Sequence, residues 1–268
     1  MNFGLIIVGD EILSGKRADK HLPKVIELLE TRGLALSWAR YVGDDRGRIT
    51  ADLQDAFASG DAVFSCGGIG ATPDDHTRQC AAAALGVPLE LHPQARDLVL
   101  ERMRDMAREQ GKPFEPDRED NRHRLNMAVF PQGAAIIPNP FNKIAGFSVR
   151  RGDGGVFFVP GFPVMAWPMI EWVLDTCYPA LQSSPQTRER SVIVFGTMEA
   201  TLTPLMEQIE SEFAGVKVFS LPTLEHPQWG RHIELGVKGA PALMAPAFAR
   251  LLAGLHDLDA KLGPELVR

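Results

Sequence analysis

Cysteine is scarce in this chain of 268 residues. The three present, Cys66, Cys80 and Cys177, lie far apart without a CxxC spacing, so neither a zinc site nor a disulfide framework is signalled. Long apolar runs are missing too: no stretch of about eighteen apolar residues occurs, and no membrane span is expected. The N-terminus lacks a basic start and enters directly the short run NFGLIIVG, unlike a signal peptide, so a cytoplasmic protein is expected. Positive charge is not in excess. The formal net charge of −6 argues against broad nucleic-acid binding by phosphate neutralisation, while leaving a small anionic substrate open. Several signatures of known sites are also absent. No Lys-Ser/Thr pair follows a glycine loop as a P-loop requires, the GxGxxG fingerprint does not occur, and no Ser-His-Asp or Cys-His arrangement is legible.

What is there begins with core-forming capacity. Hydrophobic residues make up 45% of the chain, enough for one large domain or two small ones. The stretch FSCGGIGATPDDHTR, residues 64–78, closes an apolar run and passes through Gly67, Gly68 and Gly70 to Thr72, Pro73, two aspartates and Thr77. It reads as a strand, a tight loop and a helix start. Glycines let the backbone turn at positive φ and approach a ligand closely, and free amides at a helix start attract phosphate. Two aspartates there would repel phosphate unless a cation intervened, so a phosphate-containing ligand with a metal ion between it and Asp74 or Asp75 is one reading. A plain strand-to-helix turn, for which Gly and Asp are ordinary choices, is the other.

Taken in order, residues 3–8 read as a fully buried strand. A helix capped by Asp19 runs through Arg32 to a stop at Gly33. A strand over 35–42, a helix over 46–59, a strand over 62–66 and a helix over 75–85 follow. Such alternation predicts a parallel sheet with helices on both faces, whose strand ends share the edge where ligands bind. Each of these three strands is followed by glycine and acid: Asp10-Glu11, Asp44-Asp45 and Asp74-Asp75. Crowded carboxylates call for a cation, and hard divalent ions with oxygen ligands fit. Some of the six acids are expected to be helix caps instead. A long charged helix is predicted over 93–110, then a polar run over 111–126 that reads mainly as solvated, with Asn121 and Arg124 the residues within which a phosphate contact is sought. A short strand over 135–138 and a hairpin of 147–150 with 156–159 lead to Pro160-Gly161-Phe162-Pro163 and a helix over 164–177. Gly161 before that helix marks either a second anion site or a rigid loop entry. Residues 182–186 read as a linker. Beyond it strands over 191–195, 216–221 and 232–237 alternate with helices over 199–213 and 242–262.

Several of these motifs resemble one family. GDEILSG (9–15), VGDD (42–45), GGIGATPDDHT (67–77), Asn121-Arg122, PNP (138–140) and PGFP (160–163) are similar to the N-terminal part of CinA proteins, within the molybdopterin-binding MoaB/Mog superfamily. The likeness spans residues 3–177, and FGTMEATL (195–202) is similar to the small middle domain of the same proteins. Ala71 stands where CinA proteins usually carry proline, Asn142-Lys143-Ile144-Ala145-Gly146 replaces a Gly-Thr-Ala-Pro-Gly run, and Val164-Met165-Ala166 replaces Ser-Glu-Met. The further amidase domain of CinA proteins has no counterpart in these residues.

The resemblance implies a three-layer, doubly wound α/β domain with a mostly parallel sheet at 1–180, and a smaller α/β domain at 188–268. It implies metal-dependent hydrolysis of a nucleotide diphosphate such as ADP-ribose to give AMP. In the Mog branch it implies adenylyl transfer to molybdopterin instead; a pterin- or nucleotide-binding protein without turnover is the third expectation. Asp75 is the expected metal ligand or base, with Asp10 and Asp45 supporting the metal or the leaving group and Glu199 reaching the same metal. Gly67, Gly68, Gly70, Thr72, Thr77, Asn121 and Gly161 are the expected substrate contacts. The expected cofactor is a divalent ion, magnesium or a transition metal. The expected partner is a small nucleotide or pterin, with no nucleic acid and no membrane, in a homo-oligomer.

Overall fold

The computed structural model describes residues 1–182 and 189–267, which form two compact units divided between those ranges. The predicted linker lies, beyond Gln182, outside the described residues. No helix among the described residues is long and apolar enough to cross a membrane.

The first unit opens with β1 (Phe3–Val8), a short helix α1 (Asp10–Leu13), α2 (His21–Glu30), β2 (Leu36–Val42), α3 (Arg46–Ser59), β3 (Ala62–Cys66) and α4 (Thr77–Leu85). It continues with β4 (Leu89–Leu91), α5 (Pro93–Glu109), α6 (Glu119–Leu125), β5 (Val129–Pro131), β6 (Ala135–Ile137), β7 (Gly146–Arg151), β8 (Gly154–Val159) and α7 (Pro163–Cys177). Among the described residues six strands form one sheet in the order β2-β1-β3-β8-β7-β6. The pairs β1–β2, β1–β3 and β3–β8 are parallel, and β8–β7 and β7–β6 antiparallel. This is the doubly wound, mostly parallel three-layer fold expected. β8 runs parallel to β3, so four strands rather than three end on the ligand edge.

Strands buried on both faces need apolar residues at successive positions, and β1, β3 and β8 are buried along their whole length. Their side chains divide by alternation. Ile6, Val8, Val63, Val156 and Phe158 meet α3, α4 and α5 through Ile49, Leu53, Ala81 and Val99. Phe3, Leu5, Ile7, Phe64, Phe157 and Val159 meet α2 and α7 through Val25, Leu29, Met169 and Val173. On the first face Phe147 stacks between Phe130 and Phe158, with ring centroids 4.7 Å and 4.3 Å away. Phe147→Ala removes the middle ring of a fully buried stack and is expected to cost about 3–5 kcal/mol. Urea unfolding measures this, and a loss below about 1 kcal/mol would show that the surroundings collapse onto the gap.

The second unit comprises β9 (Glu189–Phe195), α8 (Glu199–Glu212), β10 (Lys217–Thr223), β11 (His232–Lys238), α9 (Pro241–Asp257) and β12 (Lys261–Val267). Its sheet has the order β10-β11-β9-β12, every pair antiparallel, the split βαβ arrangement of ferredoxin-like folds. Val192, Val194, Leu235 and Val237 pack against Leu202, Ile209, Phe248 and Leu251. The predicted last helix over 242–262 is corrected: α9 ends at Asp257, Asp259 turns the chain at φ 51°, and β12 adds a strand. Gly263 and Pro264, which do not favour a helix, fall where the β12–β9 register shifts. β4 and β5, three residues each, pair with one another and were too short for periodicity to show.

Candidate functional site

The site is built where the parallel strands stop. Gly9 N donates to Val42 O and Gly67 N to Val159 O, each at 3.0 Å, tying β1 to β2 and β3 to β8 just past their ends. Gly67 holds φ 108° and Gly68 φ 69°, conformations that glycine adopts without a side-chain clash. The loop between β3 and α4 then turns its carbonyls onto the protein. Gly67 O accepts Thr77 Oγ1 at 3.1 Å, Gly68 O accepts Thr77 N at 3.0 Å, Gly70 O accepts Arg78 Nη2 at 2.6 Å and Thr72 O accepts Asp75 N at 3.0 Å. The amides of Gly68, Ile69, Gly70 and Ala71 donate to no acceptor among the described residues. Successive unspent amides, where they converge, can receive an anion. Ile69, 7% exposed, pins the loop into the core.

Beside the loop lies a cavity of about 260 Å³ lined by Glu11, Arg17, Lys20, His21, Cys66, Gly161 and Phe162, among others. A Cβ on Gly161 would stand 3.5 Å from the Gly67 Cα, so cavity and glycine loop adjoin. Asp19 accepts the amides of His21 at 2.8 Å and Leu22 at 3.1 Å, one residue before the cap position of α2, which falls on Lys20 rather than on Asp19 as predicted; it also accepts Tyr41 Oη at 2.8 Å. Burial, with the bond to Asp19, lifts the Tyr41 hydroxyl to about 12. His21 is 4% exposed, and its Nε2 lies 3.1 Å from Gly161 O. A carbonyl only accepts, so Nε2 carries the hydrogen there and ties the PGFP loop to α2. Nδ1 is buried without a partner. The Arg17 guanidinium lies over the Phe162 ring at 5.9 Å and 4.0 Å from Glu11. Arg17, Lys20 and His21 escaped the sequence reading, although Lys16, Arg17 and Lys20 follow the first acidic pair within a few residues.

The predicted acids sit differently. Asp10 and Asp44 exchange bonds: Asp44 N donates to Asp10 Oδ1 at 3.1 Å and Asp10 N to Asp44 Oδ2 at 3.0 Å. Burial pushes the Asp44 carboxyl above its ordinary range; the Asp10 amide opposes this, and the charges of Asp10, Glu11 and Asp74 add to it. Asp45 caps α3, its Oδ1 accepting Arg48 N at 2.8 Å, and shares with Asp10 a second cavity lined also by Tyr41 and Arg48. Asp75 precedes α4, which begins at Thr77 rather than at 75. Its Oδ2 accepts Thr72 N at 2.9 Å and Thr72 Oγ1 at 2.5 Å, so it staples the loop instead of capping the helix. Thr77 is fully buried with its hydroxyl spent on Gly67, which makes it a strut of the loop. Asn121 lies on α6, donating to Glu115 O at 2.7 Å in a separate cleft against α5. Glu199 opens α8 in the second unit, where it accepts Ser220 Oγ at 2.6 Å.

The structure thus joins Asp10 with Asp45, and Gly67 with Gly161, but puts Asp75 to work within its own loop. No group of three or more His, Cys, Asp or Glu among the described residues is placed to hold a metal ion. Asp10, Asp44, Asp45 and Asp75 each have one oxygen bonded to an amide, and the described residues offer no preformed cluster for a divalent ion. Titrating magnesium or manganese into the ligand-free protein is accordingly expected to show no saturable binding tighter than about millimolar, the weak end of protein calcium sites. A micromolar isotherm would contradict this.

Such an edge places the chain among the doubly wound α/β proteins that receive a ligand at their strand ends. Residues 4–183 match the family described as "Probable molybdopterin binding domain", and the chain belongs to it. A CinA-like protein of Anaeromyxobacter sp. (strain K) is 37% identical over 175 residues, 65% of this chain and 40% of that protein. One of Geobacter sulfurreducens is 31% identical over 219 residues, 81% of this chain and 51% of its own length. The chain therefore spans about half or less of these relatives. Among solved structures, the protein CinA with unknown function from Thermoplasma acidophilum has a TM-score of 0.55 at 25% identity, covering 66% of this chain and 99% of that one.

Proposed function

We propose that the first unit binds a phosphorylated pterin of the molybdopterin type, its phosphate received by the glycine loop. One observation carries this: the four unspent amides from Gly68 to Ala71, held in place because the loop's carbonyls are bonded inward. The family's description supplies the ligand class. The 260 Å³ cavity is smaller than the usual pocket for a whole ligand of drug size, about 300–1,000 Å³, so it takes one end of the molecule while the rest lies along the open strand edge.

A second reading is favoured by the adjoining cation-lined cavity. The loop and the Arg17–Lys20 cavity offer two anion positions side by side, the arrangement a diphosphate needs. On that reading a nucleotide diphosphate such as ADP-ribose is bound and hydrolysed: water forms a bond to one phosphorus and gives up a proton to solvent, the bridging P–O bond breaks, and the leaving phosphate monoester takes its charge into the amides and guanidinium. Adenylyl transfer from ATP to the pterin, releasing pyrophosphate, uses the same two positions. Calorimetry with molybdopterin and with ADP-ribose, followed by chromatography of the products formed from ADP-ribose and from ATP with molybdopterin, tests these. Pterin binding without AMP formation supports the first reading. AMP and ribose 5-phosphate from ADP-ribose support hydrolysis, and adenylylated pterin supports transfer. Binding of neither ligand would defeat all three.

A further inference from the structure

Arg78 is the second residue of α4 and is 4% exposed. Its guanidinium donates Nη2 to Gly70 O at 2.6 Å and Nη1 to Asn126 O at 2.7 Å. No carboxylate among the described residues lies within ion-pairing distance of it; Asp75 acts on it only as a more distant charge. Two costs are therefore accepted at one position. A cation in the first turn opposes the helix dipole, and a charge taken out of water without a counter-ion is expensive. Burial accordingly lowers the affinity of this guanidinium for its proton below the ordinary arginine value. A neutral side chain could hold carbonyls without the second cost, so the charge itself needs an explanation.

We propose that Arg78 is a positioning residue of the anion site that also supplies its charge. It draws the Gly70 carbonyl inward, which leaves the loop amides unspent, and its unpaired charge attracts the ligand's phosphate from behind the loop. The inference rests on the proposed reading of the loop as an anion receptor. Three neighbours share the task of shape: Thr77 holds Gly67, Asp75 holds Thr72, and Arg78 holds Gly70. Only Arg78 adds positive charge. The Asn126 carbonyl it also holds belongs to the turn after α6, so the same side chain links the loop to the neighbouring α5–α6 segment.

Charge and shape are separable with two variants of the full chain and two ions. Arg78→Met removes the charge and keeps much of the volume; Arg78→Lys keeps the charge but loses the planar fork that reaches two carbonyls at once. Inorganic phosphate and pyrophosphate are titrated into each by calorimetry, with circular dichroism to establish folding. At the separations involved a buried unit charge is worth about a 10- to 100-fold change in affinity. Arg78→Met is expected to lose that much for pyrophosphate and less for phosphate, and Arg78→Lys to keep most of the wild-type preference. If Arg78→Met fails to fold, Arg78→Lys decides alone. An equal loss for both ions in Arg78→Lys, or unchanged affinities in a folded Arg78→Met, overturns the charge role while leaving the anion reading intact. A wild-type protein that binds neither ion overturns both.

Discussion

Gly67→Ala is expected to abolish ligand binding and to lower stability together. Gly67 holds φ 108°, and a Cβ there would run into the carbonyl oxygen of Val8 at the end of β1. Neither partner has room to move, because Val8 belongs to a central strand and Gly67 N is bonded to Val159 O. Forcing a side chain into such a conformation costs about 1–3 kcal/mol, or roughly 2–4 °C in melting temperature for each kcal/mol in a chain of this size. Relieving the collision shifts the loop, and a displacement near 1 Å costs about 100-fold in function where geometry matters. Gly86→Ala is the control. Gly86 also has positive φ, 68°, but a Cβ there meets nothing within 4 Å, so it is expected to cost about 1 kcal/mol without changing affinity. Near-wild-type binding by Gly67→Ala, measured by calorimetry, would mean that the loop does not receive the ligand.

The paired substitution Arg17→Ala with Lys20→Ala is expected to do the reverse: large for affinity, nil for stability. Both side chains line the cavity beside the loop and both are exposed. Surface charges contribute little to folding, about 0–1 kcal/mol, so the melting temperature should stay within about a degree or two. Removing two cations from an anion pocket should weaken binding of a phosphate-bearing ligand about 10- to 100-fold, and flatten its dependence on salt, since screened attraction is what was lost. Unchanged affinity across salt concentrations would confine the ligand to the glycine loop and remove the support for a diphosphate.

Much of the fold was legible because its signals are long and redundant. The buried strand at residues 3–8, the helix at 46–59 and the strand at 62–66 occur where the patterning places them; each combines unbroken apolar or amphipathic order with a glycine stop. β4, β5 and β12 were missed for the opposite reason. The first two are three residues long, and β12 carries Gly263-Pro264 in its middle, which reads as a break rather than a strand.

The site was legible in its backbone and less so in its side chains. Glycines at 67 and 161 announce a close approach, and the structure puts them side by side. Asp75 reads as a metal ligand or base at the start of a helix, yet in the structure one oxygen of its carboxylate is taken by Thr72 three residues earlier. Arg17 and Lys20 lie in a polar stretch with no periodicity, so nothing in the local order assigns them a direction. Arg78 reads as an ordinary first-turn residue of an exposed helix. In the structure it is buried, with its guanidinium bonded to Asn126 O and Gly70 O.

The amide resonances of the glycine loop report directly on whether it receives an anion. Nitrogen–proton correlation spectra recorded while pyrophosphate, and then molybdopterin or ADP-ribose, is added should show the amides of Gly68, Ile69, Gly70 and Ala71 moving together and saturating at one affinity. The amides of Gly67 and Thr77, already bonded to Val159 O and Gly68 O, should move less. Shifts confined to the second unit, or to the acidic cavity of Asp10 and Asp45 with the loop amides unmoved, would contradict the account.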